Sequence, residues 1–405
     1  MSDHVLITGG AGFIGTHLSA ALLERGAHVT AVDNLSAGRL PTLPALLQYE
    51  RFRLVEHDIT VPLDWSEPVT AVMHLASPIG PAHVREHPVS TLMAGSAGTV
   101  NALEIARRHQ ARIVLVSSAE VYGDPNVQPQ PESYRGSVDP VGPMSGYQEA
   151  KRFLEAMAAA YRREHGVKTG IVRPFNVYGP GMLNTDTRVV AAFVTRALAG
   201  QELIVNGPDA VRSLCYIDDF VAGLLAMMDC NIPGPVNLGA AEGTAIGDLA
   251  ALVVSTVGSG TVTTGPSKAA DGTARCPDIT LARQLLDWEP TTLLRDGIAA
   301  TVEAMRAAAA PPATVRFDVP SAWLSLIPES TPRPLRCRAG CVRDALRWLT
   351  STYPVLAARL LSPSGELVPW TNLFLDQDNV RDLEGMDTVL SGDVVLVALP
   401  AMAGG

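Results

Sequence analysis

Tyr147 and Lys151 lie four residues apart in Tyr147-Gln148-Glu149-Ala150-Lys151-Arg152. On a helix that spacing puts both side chains on one face, one turn apart. An ammonium beside a phenol lowers the phenol pKa, so Tyr147 would serve as a base near neutrality. Ser118 offers a hydroxyl for the same substrate oxygen, and Glu120 a carboxylate two residues further on. A Tyr and a Lys one turn apart are, taken alone, more often surface residues. The pattern upstream is what gives the pair a catalytic reading.

That pattern is Gly9-Gly10-Ala11-Gly12-Phe13-Ile14-Gly15. It follows the short apolar run His4-Val5-Leu6-Ile7-Thr8 and precedes His17 to Gly26, which has helical apolar spacing and a glycine stop. A strand, a glycine turn and a helix make a dinucleotide site: the turn lets backbone approach a pyrophosphate, and the helix N-terminus faces that anion. The next strand, Ala27 to Val32, ends at Asp33, placed to accept hydrogen bonds from an adenosine ribose and to repel a 2′-phosphate. This favours NAD over NADP. Further strands end at Asp58, at Ala76 and at Ser118, alternating with helices, so the expected class is α/β with a doubly wound Rossmann sheet. Ligands lie beyond the carboxyl ends of such strands. The candidate cofactor-binding residues are Gly9, Gly12, Phe13, Ile14, Gly15, Asp33, Asn34, Asp58, Ile59, Leu75, Ala76, Tyr147, Lys151 and Pro174.

The 405 residues suggest two or three domains, and 47% hydrophobic content allows a large core. The net charge of −10 and the lack of a Lys/Arg-rich run argue against nucleic acid and anionic membranes. No apolar stretch reaches the roughly 20 residues of a membrane span. Five scattered cysteines, Cys215, Cys230, Cys276, Cys337 and Cys341, suggest reduced thiols in a cytoplasmic protein and no metal site.

Thr8 through Gly15, Ser118 and Tyr147-x-x-x-Lys151 together resemble the extended short-chain dehydrogenase/reductase family, over about residues 1–306. His74-Leu75-Ala76-Ser77-Pro78, Ser117 to Pro125 and Arg173 to Pro180 are similar to its nucleotide-sugar epimerases, dehydratases and decarboxylases, and Thr187-Arg188-Val189-Val190 resembles UDP-glucuronate decarboxylases. The resemblance implies that Tyr147 takes the proton of the sugar 4-hydroxyl, that Lys151 keeps Tyr147 acidic and binds the nicotinamide ribose, and that Ser118 holds the same hydroxyl. Hydride passes from C4 to NAD, leaving a 4-keto sugar. Ser77, Asn176, Arg188, Val189 and Arg212 are the implied substrate-binding residues, and a homodimer is the family's usual assembly. Where dehydratases of this branch carry an Asp-Glu pair, this chain has Ala119-Glu120, which argues against elimination. Decarboxylases carry an arginine where Met144 stands, and often another at Gly181. That loss of positive charge favours a 4-epimerase, with UDP-glucuronate decarboxylation as the alternative.

Ala307 to Ala313 reads as a linker between a first domain at 1–306, with a small substrate subdomain, and a second at 314–405. The second alternates strand, helix and strands and finishes at Gly404-Gly405. It resembles ubiquitin-like (β-grasp) sulfur carriers of the molybdopterin-synthase small-subunit and thiamine-carrier type, its best motif being the tail with Ser391-Gly392-Asp393-Val394-Val395. The resemblance implies a Gly405 thiocarboxylate and an adenylylating, sulfur-transferring partner enzyme. The alternative is an interaction module.

Overall fold

The computed structural model describes residues 3–36, 43–78, 80–266, 274–309, 313–328, 330–362, 365–383 and 385–400. The chain divides into two compact units, Met1–Met305 and Arg306–Gly405.

In the first unit, six strands enter the main sheet in chain order: β1 (His4–Thr8), β2 (His28–Asp33), β3 (Phe52–Glu56), β4 (Ala71–His74), β5 (Arg112–Val116) and β6 (Thr169–Pro174). A seventh, Val236–Leu238, adds to the free edge of β6. The spatial order is Val236–Leu238, β6, β5, β4, β1, β2, β3, and every neighbouring pair is parallel. The short apolar runs suit strands buried on both faces. Within β1, Val5 and Ile7 belong to one apolar core and Leu6 to another on the opposite side. The order in which strands are added reverses between β1 and β4, and a crevice opens at such a switch point. The helix α1 (Phe13–Glu24) leaves that crevice on the face of Val5 and Ile7, and the long Ser145–His165 helix packs on the opposite face, in one core with Leu6. Short strand pairs, Val211–Ser213 with Gly243–Ala245 and Glu202–Val205 with Thr261–Thr264, lie in the segment expected to form the substrate subdomain.

Two boundaries differ from the sequence expectation. β3 ends at Glu56, so Asp58 stands in a turn, where its carboxylate caps Thr60. The proposed linker at 307–313 is also too long: the final helix of the first unit runs from Leu294 to Ala309, and the next strand begins at Ala313. Alanine is the best helix former, so a run of alanines extends a helix instead of ending it.

The second unit has a five-stranded mixed sheet. Its strands in chain order are Ala313–Asp318, Leu335–Ala339, Thr371–Leu375, Asp378–Asn379 and Asp393–Pro400. The first and last strands are parallel neighbours at the centre, with Leu335–Ala339 and Thr371–Leu375 antiparallel on either side. The Val342–Thr352 helix buries Val342, Ala345, Leu346 and Leu349 in one core with Val315, Phe317, Leu373 and Leu396. Strict alternation of buried and exposed residues along Ala313–Asp318 leaves the other face open. Gly404 and Gly405 lie outside the described residues. Among the described residues no helix is long and apolar enough to cross a membrane, and no His/Cys/Asp/Glu group could hold a metal ion.

Candidate active site

The crevice between β1 and β4 is lined first by backbone. Gly9 has φ +71°, and a Cβ there would sit 2.8 Å from the Ala76 amide nitrogen. A Cβ on Gly15 would sit 2.2 Å from the Gly9 carbonyl oxygen. Both glycines are therefore required by the fold itself. Gly12 differs: a Cβ there would meet only the Gly9 oxygen, at 3.2 Å, and otherwise open space. Gly12 caps α1 without any side-chain hydrogen bond, so the first-turn N–H groups face that space uncovered. Phe13 is buried while Ile14 is half-buried beside this opening. A bare helix N-terminus behind a glycine with room in front of it fits a pyrophosphate.

Asp33, at the end of β2, accepts hydrogen bonds from Ala11 N at 3.0 Å and Leu35 N at 2.9 Å. One oxygen thus ties the glycine turn to β2. Asn34 donates to Asp58 at 3.2 Å, and Thr60 holds the Asp58 carboxyl below its usual pKa. Ile59, next in line, is buried, its carbonyl accepting from Asn101 at 2.8 Å. Beyond β4, Leu75 N bonds the Thr8 carbonyl and Ala76 N approaches the Thr8 hydroxyl, so this loop is fastened to the end of β1. Ser77 follows, half-buried, and Pro174 closes β6.

The reactive side chains gather at the end of β5. Ser118 caps a short 3₁₀ turn, Ala119–Tyr122, by accepting from Glu120 N at 3.1 Å, and its side chain faces the Tyr147 phenol closely enough to lower the phenol pKa. Tyr147 lies in the first turn of the Ser145–His165 helix, with Lys151 one turn on and buried. The electrostatics correct the expectation from spacing. Lys151 points its ammonium at the Val116 carbonyl, 2.9 Å away, with the nitrogen 5.7 Å from the Tyr147 ring centre. Burial brings Lys151 down to about 8, and Glu155 opposes that. Burial pushes the Tyr147 phenol above its ordinary value; Ser118 pulls it down, Glu120 pushes it up and Arg188 pulls it down. The helical spacing put the two groups on one face but carried no information about desolvation, which dominates.

Glu120 lies in an ion pair that the sequence did not reveal. Its Oε1 is 2.7 Å from Arg275 Nη1, and its Oε2 accepts from Gln148 Nε2 at 3.1 Å. Arg275 Nε is buried without a hydrogen-bond partner among the described residues. Arg275 reaches the site because its backbone pairs with Val211–Ser213. Its only sequence signal was a cation just before Cys276-Pro277-Asp278. His74 was missed as well: it is buried, its Nδ1 is 2.8 Å from the Thr8 hydroxyl, and burial with Lys151 nearby depresses it to about 3.

The expected substrate residues are placed unevenly. Arg188 is paired with Asp186 at 2.6 Å, lies over the Phe13 ring at 5.2 Å and acts on Tyr147. Val189 opens the helix that follows. Asn176, at φ +31°, spends its amide on the Ser213 carbonyl at 2.8 Å. Arg212 donates to its neighbour's carbonyl, Val211 O, at 2.9 Å.

A family model described as NAD dependent epimerase/dehydratase matches residues 5–239. The chain belongs to this family. Its cofactor is NAD, and it is an enzyme of the NAD dependent epimerase/dehydratase family. Among curated proteins it is 42% identical over 304 residues to UDP-glucuronic acid decarboxylase 1 of Xenopus tropicalis, covering 75% of this chain and 72% of that one. It is 41% identical over 297 residues to UDP-glucuronic acid decarboxylase 3 of Arabidopsis thaliana, covering 73% and 86%. Among solved structures it resembles a Thermotoga maritima UDP-glucose 4-epimerase with UDP-glucose (TM-score 0.67, 29% identity, 75% and 99% covered). A Bacillus cereus UDP-glucuronic acid 4-epimerase variant, in complex with UDP-4-deoxy-4-fluoro-glucuronic acid and NAD, matches at TM-score 0.66 and 25% identity, with the same coverage. Within the family, Gly12 and the α1 N-terminus are the residues here that would hold the NAD pyrophosphate, and Asp33 the adenosine ribose.

Proposed function

We propose that the first unit decarboxylates UDP-glucuronate through a 4-keto sugar. The observation that carries this reading is the 41–42% identity to UDP-glucuronic acid decarboxylases along three quarters of the chain. That kinship favours decarboxylation over the 4-epimerisation expected from Met144 and Gly181. The physical premise of that expectation weakens too, because Arg275 brings a cation to Glu120 from a segment far along the chain. Ala119 still argues against dehydration.

NAD, when bound, supplies the transient oxidation at sugar C4. The chain's own groups handle the proton. Tyr147 takes it from the 4-hydroxyl, Ser118 holds the oxygen, and Lys151 lends positive charge. Once C4 is a ketone, the C5–carboxylate bond breaks and CO₂ leaves. Its electron pair moves through C5 to the ketone oxygen, giving an enolate that the Tyr147 and Ser118 hydroxyls stabilise by hydrogen bonding. A proton taken up from solvent replaces the lost carboxylate at C5, and reversal of the oxidation completes a redox-neutral cycle. Glu120 and Arg275 would face the departing side of the ring. Asn176, Arg188 and Arg212 would hold the UDP diphosphate, and Ser77 and Val189 the sugar. Incubation with UDP-glucuronate should release CO₂ and yield a nucleotide pentose by NMR. An unchanged mass with C4 inverted would restore the 4-epimerase.

For the second unit, the strand order supports a β-grasp (ubiquitin-like) architecture: parallel first and last strands at the centre, with one helix across a single face. The sulfur-carrier reading rests on the sequence resemblance. A Gly405 thiocarboxylate formed with an adenylylating enzyme would replace one oxygen by sulfur and add about 16 Da at that residue. No such shift in protein purified beside its activating enzyme would leave an interaction module.

A further inference from the structure

Val116, Ser117 and Ser118 run consecutively off the end of β5, and each holds a different turn of the Ser145–His165 helix. The Val116 carbonyl accepts from Lys151 Nζ at 2.9 Å. The Ser117 hydroxyl donates to Glu155 Oε1 at 2.7 Å. The Ser118 side chain faces the Tyr147 phenol and lowers its pKa. Positions 147, 151 and 155 form one stripe along the helix. The rung at 155 is also fixed from behind. Arg173 of β6 sets Nε and Nη2 on the two Glu155 oxygens, at 2.8 and 2.6 Å. Its Nη1 donates to Tyr122 Oη at 2.8 Å, and Tyr122 donates to Asn237 at 2.8 Å. Ser117 is 1% exposed, and the Arg173 and Glu155 side chains are 10% and 15% exposed.

The reaction as derived uses neither Glu155 nor Arg173. A buried ion pair is a weak source of net stability compared with apolar packing, because both charges lose their water. It is strict about geometry, and geometry is what the two rungs nearer the substrate need. We propose that Glu155 and Arg173, acting through Ser117, are positioning residues that set the register of the catalytic helix on β5 and so keep the Tyr147 hydroxyl on Ser118. The proposal rests on Tyr147 being the base.

Ser117→Ala removes the third rung without changing any charge. Glu155→Gln is the second variant: it keeps side-chain volume and a hydrogen-bonding head but loses the charge facing Arg173. The groups facing the Tyr147 phenol are Ser118, Glu120 and Arg188, which neither variant alters, and Lys151, 5.7 Å from its ring, which feels the Glu155 charge; Ser117→Ala keeps that charge and so separates register from electrostatics. Tyr147 ionisation is read without substrate, as the ultraviolet titration difference between each protein and its Tyr147→Phe counterpart. Loosened register should weaken the Ser118 interaction and move that titration to higher pH. In turnover, kcat should fall about ten- to a hundredfold with KM unchanged, the scale expected of a small misplacement. Unchanged Tyr147 ionisation in both variants, even with a lower melting temperature, overturns the proposal and leaves a structural ion pair. Failure of the wild-type protein to act on UDP-glucuronate overturns the proposed function alone, since the phenol titration still decides the register.

Discussion

The cofactor half of the site is built from backbone and the catalytic half from side chains, and the two halves differ in what can damage them. Around Gly9, Gly12 and Gly15 the working groups are amide N–H and carbonyl oxygen, and side chains are kept out. Around Tyr147 the working groups are the ends of Ser118, Glu120, Lys151 and Arg275, drawn from three separate stretches of chain. The first half is broken by adding atoms, the second by removing them.

The largest effect should come from removing one oxygen. Tyr147→Phe is expected to cut turnover by about 10²–10⁴-fold, the usual contribution of a positioned acid–base group. NAD copurifying with the protein, measured after acid release, should be unchanged, because Tyr147 belongs to the side-chain half. Loss of both together would mean the halves are not separable.

Adding one methyl should sort the glycines. Gly15→Ala forces a Cβ to 2.2 Å from a backbone oxygen and should lower the melting temperature sharply. Gly12→Ala meets protein only at 3.2 Å, so the melting temperature of the NAD-free protein should hardly move while NAD affinity falls about tenfold or more. Unchanged NAD affinity in Gly12→Ala would remove the pyrophosphate from this turn.

These contrasts also explain what the sequence disclosed. The glycine turn is local: strand, turn, helix and Asp33 fit within some thirty residues, and their types alone carry the geometry. The Tyr147–Lys151 pair was legible as a shared helix face, but its electrostatics was not, since the Val116 carbonyl that takes Lys151 and the burial that raises Tyr147 come from tertiary packing. Arg275 lies 155 residues from Glu120 and meets it only because a bridge places it beside Val211–Ser213. Without it, the missing arginine at Met144 looked like a missing charge, and the reading tipped toward 4-epimerisation, whereas the curated relatives are decarboxylases.

A smaller loss should follow from breaking that long-range pair. Arg275→Met or Glu120→Gln should reduce kcat by about ten- to a hundredfold, the order of one mispositioned polar group. NAD content should be intact. Arg275→Met leaves Glu120 with only Gln148 as its side-chain partner among the described residues. Its effect should exceed that of Gln148→Ala, which spares the ion pair. Equal effects would make Glu120 a loop carboxylate with no particular tie to the cation.

The smallest predicted effect concerns the residue that joins the halves. His74 lies at the end of β4, bonded to Thr8 at the root of the glycine turn and close enough to Lys151 to be disfavoured as a cation. Its folded pKa is depressed to about 3, against an unfolded value of about 6.5. A depressed pKa means the unfolded chain binds the proton first. The His74 contribution to stability is therefore complete above about pH 6.5 and is lost progressively as pH falls toward 3. At about 1.4 kcal/mol per unit, that is roughly 2 kcal/mol by pH 5. Melting temperatures at pH 7 and pH 5 should therefore diverge more for the wild-type protein than for His74→Asn, which cannot titrate. If the two proteins lose the same amount, the acid sensitivity lies in the carboxylates, and the joint between backbone and side-chain halves is uncoupled from protonation.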